Sequence, residues 1–551
     1  MSIIVAYKYA ANPQDTTVDA SGAVDWSRAK AAISEYDPVA VQVGRTLADS
    51  LGTDVVGISV GGKAVASSMA KKGALSRGMD RALVVADDAT ADWNATTVAS
   101  ALAGLVGKVE GASLVLTGDS SIDESAKIVS ALIAGFLGWP CFQEVVAVEA
   151  AGDGWKLTQS TAGGTRTIRV DGPVVAAVAT DAAHVKVPGM KDILAAGKKP
   201  LEKVAVADLP TVDTALELLE VLVAGGRQGP PQRDVHRRRR RSPARRRPAQ
   251  RRRTLRKDSR TMTNTWILTT DERIANLVEV AAAVGGTTTV IAVAPSAPAV
   301  GGVDNVIHIP TAENVPAEAY AGVVAGLLAD AKGDVILAAN RPAERSFAGA
   351  AAAALALPVV VGATSVSAEG AEVARYGGLT NETVAFKGAV LVLEGGAAVE
   401  ADGPAAQVHE GTPMGAEVVD VQPSGSGPAN LAAARRIVSC GRGFKAEEDL
   451  ALAQALADAL GAEIACSRPL AEGTAWMTKD RYVGVSGMRV SPDVYVALGI
   501  SGQVQHTSGM AGSKIVVAVN SDAEAPIFQI SDYGIVGDIY DVVPALTAAL
   551  S

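Results

Sequence analysis

Around residue 440 the chain reads "RRIVSCGRGF", a strand-like run broken by Gly441, Arg442 and Gly443. Glycines at that spacing let backbone N–H groups approach an anion, and a helix opening behind them would add its dipole. A lone Gly-x-Gly is more often the mark of a tight β–α turn. The pattern around it adds weight. Successive strand-like runs in this region end on "GRG", "CSR", "GISGQVQH" and "NSD". In an open parallel sheet, ligands bind at the carboxyl ends of the strands. Arginine, serine, histidine and asparagine gathered there suit a ligand of nucleotide size.

The elements that must position these residues are legible. The chain has 551 residues, long enough for three or four domains. It is 48% hydrophobic but only 4% aromatic, so Ala, Val, Ile and Leu must build its cores. Short Val/Ile/Leu runs separated by Ala-rich stretches of helical period predict helices packed on buried parallel strands. In the first half the runs are "SIIVAY", "DVVGISV", "RALVVA" and "SLVLTG"; after Met262 they are "TWILTT", "TTVIAVA", "NVIHIP" and "DVILAA". Beyond the fourth run both halves continue with a polar loop, a helix, a proline and a strand. This predicts two copies of one α/β domain, which can pack about a pseudo-twofold axis. A further α/β unit begins near Arg436 and carries the polar strand ends.

Between the halves lies a basic block. Residues 227–260 hold 15 Arg and 1 Lys against 2 Asp, in a chain whose net charge is −9. No aromatic or folded motif accompanies it, so specific nucleic-acid binding is not expected. Such a block self-repels and cannot form a core, which predicts a disordered linker. Its Arg, Pro and Ala composition is also what GC-rich codons yield when read out of frame. No apolar run approaches the roughly 20 residues that cross a bilayer. The start, "MSIIVAYKYAANP", lacks a basic leader region, and Cys141, Cys440 and Cys466 show no metal-ligand spacing. A reducing cytoplasm is the expected setting.

The last region resembles the α subunit of the electron-transfer flavoproteins, through "GRGFKAEEDLALAQALADALGAEIACSR", "VGVSGMRVSPDVYVALGISGQVQHTSGM", "KIVVAVNSDAEAPIF" and "DYGIVGDIYDVVPALTAAL". The N-terminal half is similar to the family's β subunit through "VAYK", "KKGALSRGMDRALVV", "LVLTGDSSID" and "AGFLGWP". The resemblance implies a β subunit fused ahead of an α subunit. Residues 1–226 would be β-like, 227–261 a linker, 262–428 the first α domain and 429–551 the FAD-binding domain. It implies an electron carrier rather than an enzyme with its own small-molecule substrate. Such a carrier takes electrons from flavin dehydrogenases, acyl-CoA dehydrogenases of fatty acid oxidation among them, and passes them to a membrane quinone reductase. FAD would sit in the last domain and AMP in the β-like part.

Carried over by position, Arg442 stands where the family's arginine meets FAD, and Ser467 with Arg468 match its Ser-Arg beside the cofactor. Val483, Gly484, Val485 and Ser486 occupy the place of Val-Gly-Gln-Thr. The run Ser501, Gly502, Gln503, Val504, Gln505 and His506 matches Ser-Gly-Ala-Ile-Gln-His. Asn520, Asp538 and Ile539 answer to the remaining contacts. A one-electron carrier needs charges and donors where anionic charge gathers on the flavin ring. Arg468 and His506 would supply positive charge or a hydrogen bond there, and Ser486 a hydroxyl donor. Val485 removes the amide that the family's glutamine provides.

The β-like half departs further. Ala6, Ser34, Asp37, Val60, Gly118 and Asp123 align with AMP contacts, but Lys127, Ile128 and Val129 replace the family's Asn-Gln-Thr. Lys127 can still meet a phosphate. "GMKDILAAGKKPL" aligns with the loop that grips partner dehydrogenases and puts Met190 at the anchor position. The alternative is an adenine-nucleotide-binding protein of the α-hydrolase type without redox activity, with its chemistry centred on the first half.

Overall fold

The seven residues Thr288–Ala294 are all buried, as are Val174–Val178 and Val335–Ala339. A strand covered on both faces needs no polar alternation, which is why these runs read as continuous apolar stretches. The computed structural model describes residues 2–12, 15–18, 24–161, 163–214, 216–223, 263–375, 380–399, 402–423, 431, 434–474, 476–484 and 487–550. The arginine block lies outside the described residues.

The fold class is α/β throughout. In the first half the strands lie in the order Leu201–Lys203, Arg81–Ala86, Val55–Gly61, Ser2–Ala6, Ala112–Gly118, Val174–Val178 and Cys141–Ala151, all pairing parallel. In the second half the order is Gln407–Val408, Asn305–Pro310, Thr288–Ala294, Thr265–Thr269, Val335–Ala339, Ala389–Leu393 and Val359–Val361. Numbered along each half, both sheets run 3-2-1-4-6-5 with one late strand beside the third. The repeat read in the sequence is therefore a repeat of topology.

The halves meet through equivalent elements. Helices Val129–Leu137 and Pro342–Leu355 each follow the fourth strand of their half, and they cross one another with almost no gap. A Cβ on Gly135 would lie 2.6 Å from the Gly349 carbonyl oxygen, and one on Gly349 would lie 2.4 Å from the Ala131 carbonyl carbon. Only glycine permits that approach. The halves also exchange strands. Ala416–Pro423 pairs antiparallel with Gly164–Val170 of the first half, and Glu217–Val223 pairs antiparallel with Thr380–Ala385 of the second. Like elements meeting like elements is the arrangement a pseudo-twofold axis produces.

The last unit is a five-stranded parallel sheet in the order Glu463–Cys466, Arg436–Cys440, Val494–Leu498, Ile515–Asn520 and Tyr533–Val536. Along the chain this is 2-1-3-4-5, a doubly wound sheet whose order reverses between Arg436–Cys440 and Val494–Leu498. Among the described residues no helix is long and apolar enough to cross a membrane.

Candidate functional site

At that reversal the carboxyl ends of the strands enclose a cavity of about 810 Å³. The Gly-x-Gly turn forms part of its wall, and it does so as a tight β–α turn rather than as an anion cradle. The Gly441 N–H donates to the Leu498 carbonyl at 2.8 Å and the Gly443 N–H to the Gly499 carbonyl at 3.1 Å. The helix Leu450–Leu460 opens several residues further on. Neither N–H is therefore aimed at an anion. The glycines answer to packing instead, since a Cβ at Gly441 would lie 2.3 Å from the Gly499 oxygen. Of the turn, Arg442 and Gly443 line the cavity, and Arg442 is its charged residue.

Ten of the aligned residues line this cavity: Arg442, Ser467, Arg468, Ser501, Gln503, Gln505, His506, Asn520, Asp538 and Ile539. The fold places each through a strand end. Ser467 follows strand Glu463–Cys466, and its N–H donates to the Cys440 carbonyl at 2.8 Å. Asn520 closes strand Ile515–Asn520, donates from Nδ2 to the Ile500 carbonyl at 2.9 Å, and so ties two adjacent loops together. Asp538 accepts from the Tyr540 N–H at 3.0 Å at the start of helix Ile539–Leu550.

Other aligned residues shape the wall without lining it. Val483 is fully buried, and its N–H donates to the Cys466 carbonyl at 2.9 Å. The Gly484 N–H donates to the Met488 carbonyl, and a Cβ there would touch the Tyr482 hydroxyl at 2.7 Å. Gly502 has φ +87°, and a Cβ on it would lie 2.2 Å from the Ile527 nitrogen. Val504 opens the helix Val504–Met510. Val485 and Ser486 lie outside the described residues, so the lost amide and the hydroxyl donor have no placement here.

His506 is buried, and its Nε2 lies 3.0 Å from the Tyr495 hydroxyl. Burial pushes its pKa down to about 4, opposed by the backbone of Val483. The imidazole is therefore neutral at pH 7. Of the two roles expected for it, hydrogen bonding fits and fixed positive charge does not. Its Nδ1 is buried without a hydrogen-bond partner. Tyr495 was invisible to sequence reasoning, because a tyrosine in a buried strand carries no motif. Lys445, Tyr482 and Asp522 also line the cavity unannounced, and so does Glu35, which comes from the first half of the chain.

The residues aligned with AMP contacts converge at the carboxyl end of the first sheet. Ala6 ends strand Ser2–Ala6, Gly118 ends the adjacent Ala112–Gly118, and Val60 lies near the end of Val55–Gly61. Asp37 opens helix Asp37–Leu51 and accepts the Lys8 N–H at 2.7 Å. Burial raises its carboxyl to about 7, against the hydrogen bonds from Lys8 and Gly118. Lys8 pairs with Asp123 at 2.6 Å and Lys127 with Asp119 at 2.8 Å. Ser34 Oγ, Ser120 Oγ and Asp119 Oδ1 are buried with no hydrogen-bond partner. Met190 begins the short helix Met190–Ala196 and is 74% exposed, with Leu194 exposed beside it.

Two stretches match family models. Residues 22–209 match the electron transfer flavoprotein domain, and residues 430–511 match the electron transfer flavoprotein FAD-binding domain. The chain is 54% identical over 122 residues to a putative electron transfer flavoprotein subunit, YdiR, of Escherichia coli K12, covering 22% of this chain and 39% of that one. It is 44% identical over 185 residues to the protein FixB of Escherichia coli O9:H4 (strain HS), covering 32% of this chain and 59% of that one. The chain thus spans less than two thirds of the length of these curated relatives. The first half matches the domain common to the electron transfer flavoproteins, and the region around the last-domain cavity matches their FAD-binding domain, an order consistent with a β-like part joined ahead of an α-like part.

Proposed function

We propose that this protein carries electrons on one FAD held in the last-domain cavity. It accepts them from flavin dehydrogenases, such as acyl-CoA dehydrogenases, and passes them to a membrane quinone reductase or similar acceptor. The observation that supports this best is the cavity itself. Its volume lies within the roughly 300–1,000 Å³ typical of cofactor sites. Its wall combines three cations, Arg442, Lys445 and Arg468, with a buried neutral histidine. The unpartnered Nδ1 of His506 is the kind of atom that a ligand satisfies.

Bound FAD supplies the redox chemistry, and the protein supplies orientation and electrostatics. Arg442 and Arg468 hold positive charge where the cofactor is anionic. If Nε2 accepts from the Tyr495 hydroxyl, the imidazole proton sits on Nδ1, which can then donate to a flavin carbonyl. Asn520, locked by its bond to Ile500, and Ser467 offer further polar contacts. We place AMP in the first half, where the orphan hydroxyls of Ser34 and Ser120 suit its adenosine end. Lys127 must loosen its pair with Asp119 to meet the phosphate. The exposed Met190 and Leu194 are our docking face for dehydrogenases, and the cytoplasm, suited to three free buried cysteines, our setting. The rival hydrolase-type reading gains nothing from either family match.

Acid extraction of purified protein, with chromatography and a visible spectrum, tests this. FAD near one per chain supports the reading, and absence of flavin overturns it. Two FAD per chain would place a flavin in the first half instead of AMP, whose absence from the extract would remove that assignment alone.

A further inference from the structure

Among the described residues, the wall of the FAD-site cavity comes from residues 442–539 with one exception, Glu35. Its carboxylate lies 3.5 Å from the Arg468 guanidinium, across the junction between the first half and the last domain. The next residue, Tyr36, is buried, and Arg468 Cζ lies 5.8 Å from its ring centroid. Arg468 therefore receives a carboxylate and an aromatic face from one two-residue segment of the other lobe. That segment sits directly before helix Asp37–Leu51, whose first residue, Asp37, is fixed by the Lys8 N–H. The position of Glu35 is thus rigidly tied to the first sheet.

We propose that Glu35 is a positioning residue for the cofactor site. It latches the last domain to the first half through Arg468 and, while latched, offsets the positive charge that Arg468 presents to the cavity. The inference rests on the FAD reading above for its electrostatic part and on geometry alone for the latch. Besides Arg468, the charged side chains facing the cavity are Arg442, Lys445, Asp522, Asp538 and Glu35 itself. Glu35 alone among them moves with the first half. Any separation of the two lobes removes one carboxylate from beside the guanidinium and leaves every other cavity charge in place. The potential of the cofactor would then depend on lobe orientation, and a docking protein that shifts the last domain would also make the cofactor a stronger electron acceptor.

Two measurements test the two parts. In the FAD-bound protein, Glu35→Gln keeps the size of the side chain and removes its charge. The reduced, more anionic cofactor should gain about 2- to 5-fold over the oxidised form relative to wild type, as an upward shift in reduction potential, the range expected for a half-exposed pair. Glu35→Asp should stay close to wild type. An unchanged potential in Glu35→Gln overturns the electrostatic part, provided wild type binds FAD. In the FAD-free protein, spin labels on the first half and the last domain report lobe separation. Glu35→Arg should lengthen or broaden that distance, and the double variant Glu35→Arg with Arg468→Glu should restore it. No change in Glu35→Arg, or no restoration in the double variant, overturns the latch. Should wild type fail to bind FAD, the FAD reading fails while the distance measurement still decides the latch.

Discussion

At the carboxyl end of the first sheet the cations are already engaged with carboxylates: Lys127 with Asp119, Lys8 with Asp123. The second half repeats the arrangement, with Arg341 between Asp271 and Glu344. At the corresponding end of the last sheet, Arg442, Lys445 and Arg468 surround an 810 Å³ cavity, and a buried imidazole nitrogen is left without a partner. All three places are switch points of parallel sheets, where ligands are expected. The difference lies in how the charges are used. Internal pairs stabilise a loop, whereas the cations of the last sheet border an open volume, Arg468 doing so while it also pairs with Glu35. Topology nominates a site, and charge pairing decides whether it is spent on the fold.

That contrast can be broken or sharpened by experiment. The largest effect is expected in the first half. Lys127→Met strands the nearly buried Asp119 carboxylate and should destabilise the protein by about 3–5 kcal/mol, as for other broken buried pairs. Urea denaturation with a first-half probe measures it, and a cost below 1 kcal/mol would mean the pair is not internal to the fold. Next is Asp37, whose carboxyl is pushed up by burial to about 7 in the folded state from an ordinary aspartate value of 3.8. The folded state holds its proton longer than the unfolded state, so ionisation destabilises. Wild type should lose stability relative to Asp37→Asn as pH rises from about 4 to 7, on the order of 4 kcal/mol in all.

His506 has the opposite sign. Burial holds its pKa at about 4 in the folded state, below the ordinary imidazole value of 6.5, so the unfolded state binds the proton first as pH falls. Relative to His506→Gln, wild type should be fully stable above about pH 6.5 and lose about 3 kcal/mol by pH 4. Parallel pH profiles for the two proteins would contradict the neutral, buried imidazole. Arg442→Ala, by contrast with Lys127→Met, should change stability by less than about 1 kcal/mol. It should instead weaken FAD binding about tenfold or more, the scale of one charge-assisted hydrogen bond. Equal stability losses in the two variants would erase the distinction between paired and cavity-facing cations.

The smallest expected effect is from removing the arginine block. Residues 1–226 and 262–551, co-expressed as separate chains, should still form one FAD-binding complex. The exchanged strands Ala416–Pro423 and Glu217–Val223 and the glycine crossing at Gly135 and Gly349 hold the halves without a tether. A covalent link mainly raises effective concentration. Loss of FAD only in the split form would show that the block belongs to the working protein.

The sequence by itself determined the α/β class, the repeat and the polar strand ends. Buried parallel strands must be continuous apolar runs, and turns at their carboxyl ends must be small or polar, so both leave a local mark. It also supplied Arg442, Ser467, Arg468 and His506, because they follow strand-like runs at short, readable distances. What it left open was the use of the Gly441 and Gly443 N–H groups, since nothing local reveals that Leu498 and Gly499 carbonyls will claim them. The protonation of His506, its bond to Tyr495, the pairing of Lys127 and the reach of Glu35 to Arg468 were decided by tertiary structure alone. Burial and charge contacts depend on which residues fold brings within a few ångströms. Glu35 and Arg468 stand 433 positions apart in the chain.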